Sequence, residues 1–433
     1  MKLAEIFCDN MVLQQGNRTE IFGEGEGVGC IEFLNHKIDF TANGHFSVIL
    51  PPLTAGDSFD MTISLGEESV TVKNILVGEV FLAGGQSNME LTLNDTEKIG
   101  ICDMPNVRCY KVFAPDDECF GENRWQICCG DVSNISAVAY YFAQRLNAET
   151  GVPVGIISCN RGGSRIHSWV PEEVTQKEVF KNSLMLHSPI DELYSFNLDN
   201  YLYKNCLLPI APYTVKGVLW YQGESNAVIG EAEHYCGMLS ELISHWRGLW
   251  KAELPFYVVQ LMPYIANPWY ADWATVRAQQ EKASKTIPNV YMTTLFDTGE
   301  AYEIHPTKKK CVGTALANAV LNTLCGRCDL EYSGPVISEW KKSGNTAELT
   351  FTHAKGLKLD FDWFAETYIY DENGIHFEVN GRTASAEIKD NKIFVSWIDG
   401  INPVGIKMNY WNGATPRLIN DSGYFVSPFD VVF

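Results

Sequence analysis

The sequence predicts an α/β protein: a mostly parallel sheet with helices on its faces, flanked by β-rich regions. Three observations lead there. Between residues 76 and 328, apolar runs of strand length alternate with stretches of helical period, the pattern of a layered α/β domain. Before and after that segment the period shortens to two, with Gly, Pro, Asn and Asp between the runs, as in sandwich-like antiparallel sheets. At 433 residues the chain suits two or three domains of about 150 residues each. The predicted divisions are 1–75, 76–328 and 329–433.

The elements follow in order. Thr19–Gly23 and Gly44–Leu50 are short alternating runs of the first β region. Ile75–Val77 and Val80–Leu82 begin the α/β segment, and the latter runs directly into Ala83-Gly84-Gly85-Gln86-Ser87. The next stretch, to about residue 130, is rich in Asp, Pro and Cys and shows no clear period. Val138, Phe142 and Leu146 then recur every fourth residue, with Ser136 to cap a helix and Gly151 to close it. Strands are expected at 154–157, 215–220, 256–259 and 290–295, and helices at 231–247, 273–286 and 309–324. Period two returns at Thr346–Phe351 and Lys392–Trp397 in the second β region.

Composition limits the function. A net charge of −20 opposes nucleic acid or an anionic membrane as partner, since both are polyanions. An acidic small molecule remains open, because a local arginine overrides the average field. No apolar run reaches membrane-spanning length, and Met1–Glu5 does not open a signal peptide. Thirteen cysteines without a repeating spacing fit reduced thiols. Cys325 and Cys328 form a lone CxxC with no second pair. The expectation is a cytoplasmic protein without metal or cofactor, or a periplasmic or secreted one if a leader has been removed.

Ligand sites in α/β sheets lie beyond the carboxyl ends of the strands. Ser87 stands there, on a turn that two glycines permit. A serine nucleophile needs a base, and the base an orienting group. His305 follows a predicted strand and precedes a predicted helix, with Glu303 two residues before it and Asp297 as the rival acid. Oxyanion donors are available on two more strand-end loops, Asn160–Arg165 with its Gly162-Gly163 pair and Trp220–Asn226 with Gln222. The serine context, Gly85-Gln86-Ser87-Asn88-Met89, lacks the second glycine of the G-x-S-x-G elbow. That argues against an ordinary α/β-hydrolase turn.

These blocks resemble a known family. Gly85-Gln86-Ser87-Asn88-Met89-Glu90, Gly162-Gly163-Ser164 with Trp169, Trp220–Asn226 and Ile304-His305-Pro306 are similar to blocks of the sialate O-acetylesterases. Met11–Gln15, Asn74–Val80 and Leu254–Tyr257 extend the resemblance over residues 1 to about 325. It implies an SGNH-type, flavodoxin-like α/β/α core and a serine esterase related to acetylxylan esterases. It also implies Ser87 as nucleophile, His305 as base and an oxyanion hole from the Ser87 N–H, the Gly163 N–H and the Gln222 side chain. The family usually has Asp where this chain has Glu303. Trp269 and Trp273 are candidate sugar platforms, and Arg161, Arg165 and Arg277 candidate partners for a sialate carboxylate.

The expected function is removal of O-acetyl groups from carbohydrate, sialic acid first and plant polysaccharide second. An inactive carbohydrate-binding protein on the same scaffold is the alternative.

Overall fold

A computed structural model describes residues 1–115, 123–181, 195–265, 271–294, 301–359, 367–372, 376–378, 384–414 and 417–433. Two compact units emerge. The first comprises Met1–Lys181, Met185–Gln222 and Met238–Tyr257; the second comprises Asn182–Leu184, Gly223–Gly237 and Val258–Phe433.

The first unit is built on a long hairpin and the strand that follows it. Strands β1 (Thr19–Phe33) and β2 (His36–Leu50) pair antiparallel along their whole length, from Thr19↔Leu50 to Phe33↔His36. Strand β3 (Gly56–Leu65) lies antiparallel to β1 and to β4 (Glu68–Gly85). β4 has two characters. Its first half completes the antiparallel part, and its second half lies parallel to later strands. The sheet is therefore mixed, not mostly parallel as the sequence pattern suggested. The physical reason is in β4 itself: Ile75 to Leu82 is apolar enough to run on as one strand, so the antiparallel β region and the parallel layer share it. Residues 75 and 76 fall in its interior.

A one-turn helix, α1 (Ser87–Glu90), follows β4. Strands β5 (Met104–Lys111) and β6 (Trp125–Cys128) then form an antiparallel pair in the stretch that showed no period. Arg108 breaks the apolar run there, yet it is only 3% exposed. Its guanidinium donates to the carbonyls of Asn10 at 3.0 Å and Asn74 at 2.6 Å. A charged residue in the interior hid the strand from a hydropathy reading.

Helix α2 (Ala137–Thr150) forms where its period placed it. Ser136 Oγ accepts the Ala139 N–H, and Gly151 at φ 67° ends the helix by donating its N–H to Asn147 O. Phe142 on its buried face meets Phe81 of β4 edge-on at 5.0 Å. Strand β7 (Val154–Asn160) is buried throughout and runs parallel to β4, from Glu79↔Val154 to Gly85↔Asn160. Strand β8 (Gly217–Tyr221) lies parallel on the other side, from Phe81↔Gly217 to Gly85↔Tyr221. Side chains on both faces of the end of β4 are buried, which is why it ends as an apolar run rather than an alternating one. Helix α3 (Tyr235–Trp250) contributes Trp246, whose ring meets Trp220 edge-on at 5.6 Å and whose N–H donates to Trp169 O.

The longest segment of the second unit begins within strand β9 (Phe256–Val259). Beyond it, Gln260 N–H donates to Thr293 O of strand β10 (Val290–Thr293). Between them lies α4 (Trp273–Thr286), capped by Asp272, whose carboxylate accepts the Thr275 N–H at 3.2 Å. Helix α5 (Lys309–Cys325) closes on Gly326 at φ 71°. Lys358–Leu359 pairs antiparallel with Leu418–Ile419, and the other described strands of this region form two antiparallel four-stranded sheets. One has the order β11 (Val336–Ser343), β12 (Thr346–Thr352), then β16 (Lys392–Trp397) and β15 (Ala384–Lys389). The other runs β14 (His376–Glu378), β13 (Thr367–Tyr370), β17 (Gly405–Met408), β18 (Phe429–Val432). Leu349, Ile393 and Val395 of the first share one core with Ile369, Ile406 and Val431 of the second. That is the sandwich which alternation of period two implies. Among the described residues, no helix is long and apolar enough to cross a membrane.

Candidate active site

Ser87 owes its place to the sheet register. Gly85 is paired on one side with Asn160 and on the other with Tyr221, so three strands end level with it. At φ 136° Gly85 holds a conformation that side chains rarely adopt. A Cβ built there would lie 2.1 Å from Tyr221 O. The chain can therefore turn sharply while β8 stays close, and the Gln86 N–H donates to that same Tyr221 O at 3.0 Å. Gln86 O then accepts the N–H groups of Met89 and Glu90, closing α1 with Ser87 as its first residue. Gln86 and Asn88 are buried, whereas Ser87 is half-buried.

The loop after β7 is anchored beside it. Arg161 N–H donates to Gly85 O at 3.1 Å, Gly162 N–H to Glu90 Oε2 at 2.6 Å and Arg165 N–H to Asn197 Oδ1 at 3.1 Å. A Cβ on Gly162 would be 3.5 Å from Ser87 Cβ, so this loop lies against the serine. Gly163 is exposed, at φ 73°. Gln222, fully buried, donates through Nε2 to Gln86 Oε1 and to Ser164 O, each at 3.2 Å. Ser164 Oγ accepts the Trp169 indole N–H at 3.0 Å. The first unit thus brings together Ser87, Gly163 and Gln222, the three expected at the oxyanion hole.

The second unit carries the expected base. His305 is half-buried in the loop before α5, and its backbone N–H donates to Glu303 Oε1 at 2.8 Å. Glu303 is exposed, and its carboxylate binds the histidine's backbone, a contact that the two-residue spacing alone did not specify. Burial holds the His305 pKa below the ordinary histidine value. Nearby Lys309 lowers it further, and Glu303 opposes both. Lys309 is only 1% exposed. Burial lowers its ammonium to about 8 against the pull of Glu224, itself 8% exposed. Asp297, the rival acid, lies outside the described residues.

Of the expected sugar contacts, Arg161 is half-buried with its guanidinium 4.8 Å over the Phe196 ring. Arg165 and Arg277 are 5% and 2% exposed. Trp273 is 5% exposed and donates its indole N–H to Met262 O at 2.7 Å. Trp273 and Arg277 therefore sit in the interior of the second unit, where helical spacing on α4 buries one face. Trp269 lies outside the described residues. Sequence reasoning gave no role to Glu90, Glu224 and Lys309. Glu90 closes the serine block, and only that position hinted at it. A buried lysine leaves no trace in a charge pattern.

A hydroxyl on a strand-to-helix turn, with an N–H-bearing glycine loop against it, defines a class of α/β ester hydrolases. The carbohydrate esterase family described as sialic acid-specific acetylesterases matches residues 77–322, more than half of the chain. The chain belongs to that family and is a carboxylic ester hydrolase. It is similar to mouse sialate O-acetylesterase, 24% identical over 375 residues that cover 72% of this chain and 69% of that one. The human sialate O-acetylesterase is 24% identical over 352 residues, covering 72% and 66% respectively. Among solved structures, a carbohydrate acetylesterase from Xanthomonas citri is 28% identical with a TM-score of 0.86, covering 99% of both chains.

Proposed function

We propose that this protein is a serine esterase that removes O-acetyl groups from carbohydrate, with O-acetylated sialic acid as its first substrate. The observation that carries the reading is the Ser87 turn, with the Gly162-Gly163 loop anchored against it. The family membership and the mouse and human relatives support sialic acid. A plant-polysaccharide acetate is the second reading; the likeness over the whole chain to a carbohydrate acetylesterase supports action on carbohydrate in either case. The parallel half of the sheet, β5, β7, β4 and β8, supports an SGNH-type core.

In this mechanism Ser87 Oγ attacks the acetyl carbonyl as His305 takes its proton. The developing oxyanion is held by the N–H groups of Ser87 and Gly163. Gly162 is not the donor, because its N–H is already given to Glu90. Gln222 Nε2 joins by exchanging its bond to Ser164 O for the acyl oxygen. At 3.2 Å that bond is at the long end of the hydrogen-bond range, so the exchange costs little. Glu303 fixes the His305 backbone, and its charge favours the imidazolium as it forms. The sugar leaves with the proton from His305, and water cleaves the acetyl-enzyme by the same route.

The test is acetate release from O-acetylated sialic acids and acetylated xylo-oligosaccharides. Faster turnover of the sialates by kcat/KM supports the first reading, and the reverse order supports the second. No release from either refutes both. For the acid, Glu303→Gln and Asp297→Asn are compared, and a larger loss in the latter removes Glu303 from the triad.

A further inference from the structure

We infer that Glu90 is a positioning residue for the oxyanion hole: its carboxylate fixes the Gly162-Gly163 turn against the nucleophile. The inference rests on the reading that Ser87 attacks and Gly163 donates. Glu90 ends the one-turn helix that Ser87 begins, so both project from a single rigid turn. The far end of that turn is held as well. Ser136 Oγ, the cap of α2, donates to Met89 O at 2.6 Å, and Ala137 N–H donates to Leu91 O. From this base Glu90 Oε2 accepts the Gly162 N–H at 2.6 Å. A bond to a charged acceptor is stronger than one between neutral groups. It ties the second loop to the helix that carries the nucleophile, next to Gly163.

The spacing is tight. A Cβ on Gly162 would meet Glu90 Oε2 at 2.8 Å before anything else, and Ser87 Cβ only at 3.5 Å. A Cβ at 162 would thus displace the carboxylate from the position in which it accepts the N–H. An oxyanion donor acts through its alignment with charge that develops in the transition state. A loosened turn should therefore slow the chemical step more than it weakens substrate binding.

The experiment measures kcat and KM for p-nitrophenyl acetate, together with thermal midpoints, in the full chain. Glu90→Ala is expected to lower kcat roughly thirtyfold, a fraction of the loss for a deleted oxyanion donor, with KM changed less than about threefold. Glu90→Gln keeps an acceptor oxygen at the same reach and is expected to restore most of the loss. Gly162→Ala should impair the native enzyme but cost nothing further in the Glu90→Ala background, since the atom it strikes is gone. A folded Glu90→Ala enzyme with native kcat overturns the inference. So does a Glu90→Gln enzyme as slow as Glu90→Ala, or fully additive losses in the double variant. Ser87→Ala separates the two levels. If it remains active, the nucleophile reading fails. If it is inactive while Glu90→Ala is not impaired, the positioning role alone falls.

Discussion

At the scale of single residues, the proposed mechanism depends on how His305 is charged. A general base must be neutral to accept a proton, and this imidazole is held below the ordinary histidine pKa by burial and by Lys309. The acid limb of kcat/KM should therefore lie below the unperturbed value of about 6.5. Lys309→Met removes one of the two lowering influences. The limb should move up in pH, and a pH–rate profile of the variant reads this directly. An unmoved limb would separate the lysine from the base. Lys309 itself carries a stability consequence. Its folded pKa of about 8 lies below the unfolded lysine value. Between those two values the unfolded chain binds more protons, so Lys309 contributes increasing stability as pH rises through that window. Denaturant titrations of native and Lys309→Met protein at pH 7.5 and 9.5 should diverge in that sense.

At the scale of elements, the end of β4 sets the geometry. Gly85→Ala would place a methyl group against Tyr221 O at a backbone angle that alanine avoids. The expected loss is on the order of 3 kcal/mol, read as a lower denaturation midpoint. Ser136→Ala should cost about 1 kcal/mol as a lost helix cap. It should also slow turnover, because the same hydroxyl holds the end of α1. The regular helices were legible because period and caps agreed: Ser136, Gly151 and α4 stand where the pattern put them. Strands β5 and β6 were not, because Arg108 interrupts the apolar run and its burial depends on carbonyls about thirty or more positions away. The mixed character of β4 was hidden for a related reason. A strand shows its own apolar face, but the direction of its partners is a tertiary fact. Within the first unit, the Ser87 turn and its glycine loop were legible because a sharp strand-end turn restricts residue type, as Gly85 at φ 136° shows. The Glu90–Gly162 bond was not, since a glutamate at a helix end has many ordinary roles.

At the scale of the molecule, charge and substrate can be set against each other. The chain carries a net charge of −20. An anionic sialate is repelled on approach, whereas a neutral acetate ester is not. Raising ionic strength from about 0.01 to about 0.15 M shortens the screening length to about 8 Å and should raise kcat/KM for sialate esters a few-fold. Turnover of p-nitrophenyl acetate should stay level. A fall for the sialates would mean that a local cation such as Arg161 governs their capture instead.

The proposed function stands on Ser87 as the nucleophile of a carbohydrate O-acetylesterase. Its most direct measurement is acetate released from O-acetylated sialic acid by native and Ser87→Ala protein at equal concentration, with thermal midpoints recorded beside it. Steady release by the native enzyme is expected, with a loss of at least about a thousandfold in the variant and the midpoint nearly unchanged. Release by a folded Ser87→Ala protein at a rate near the native one would contradict it.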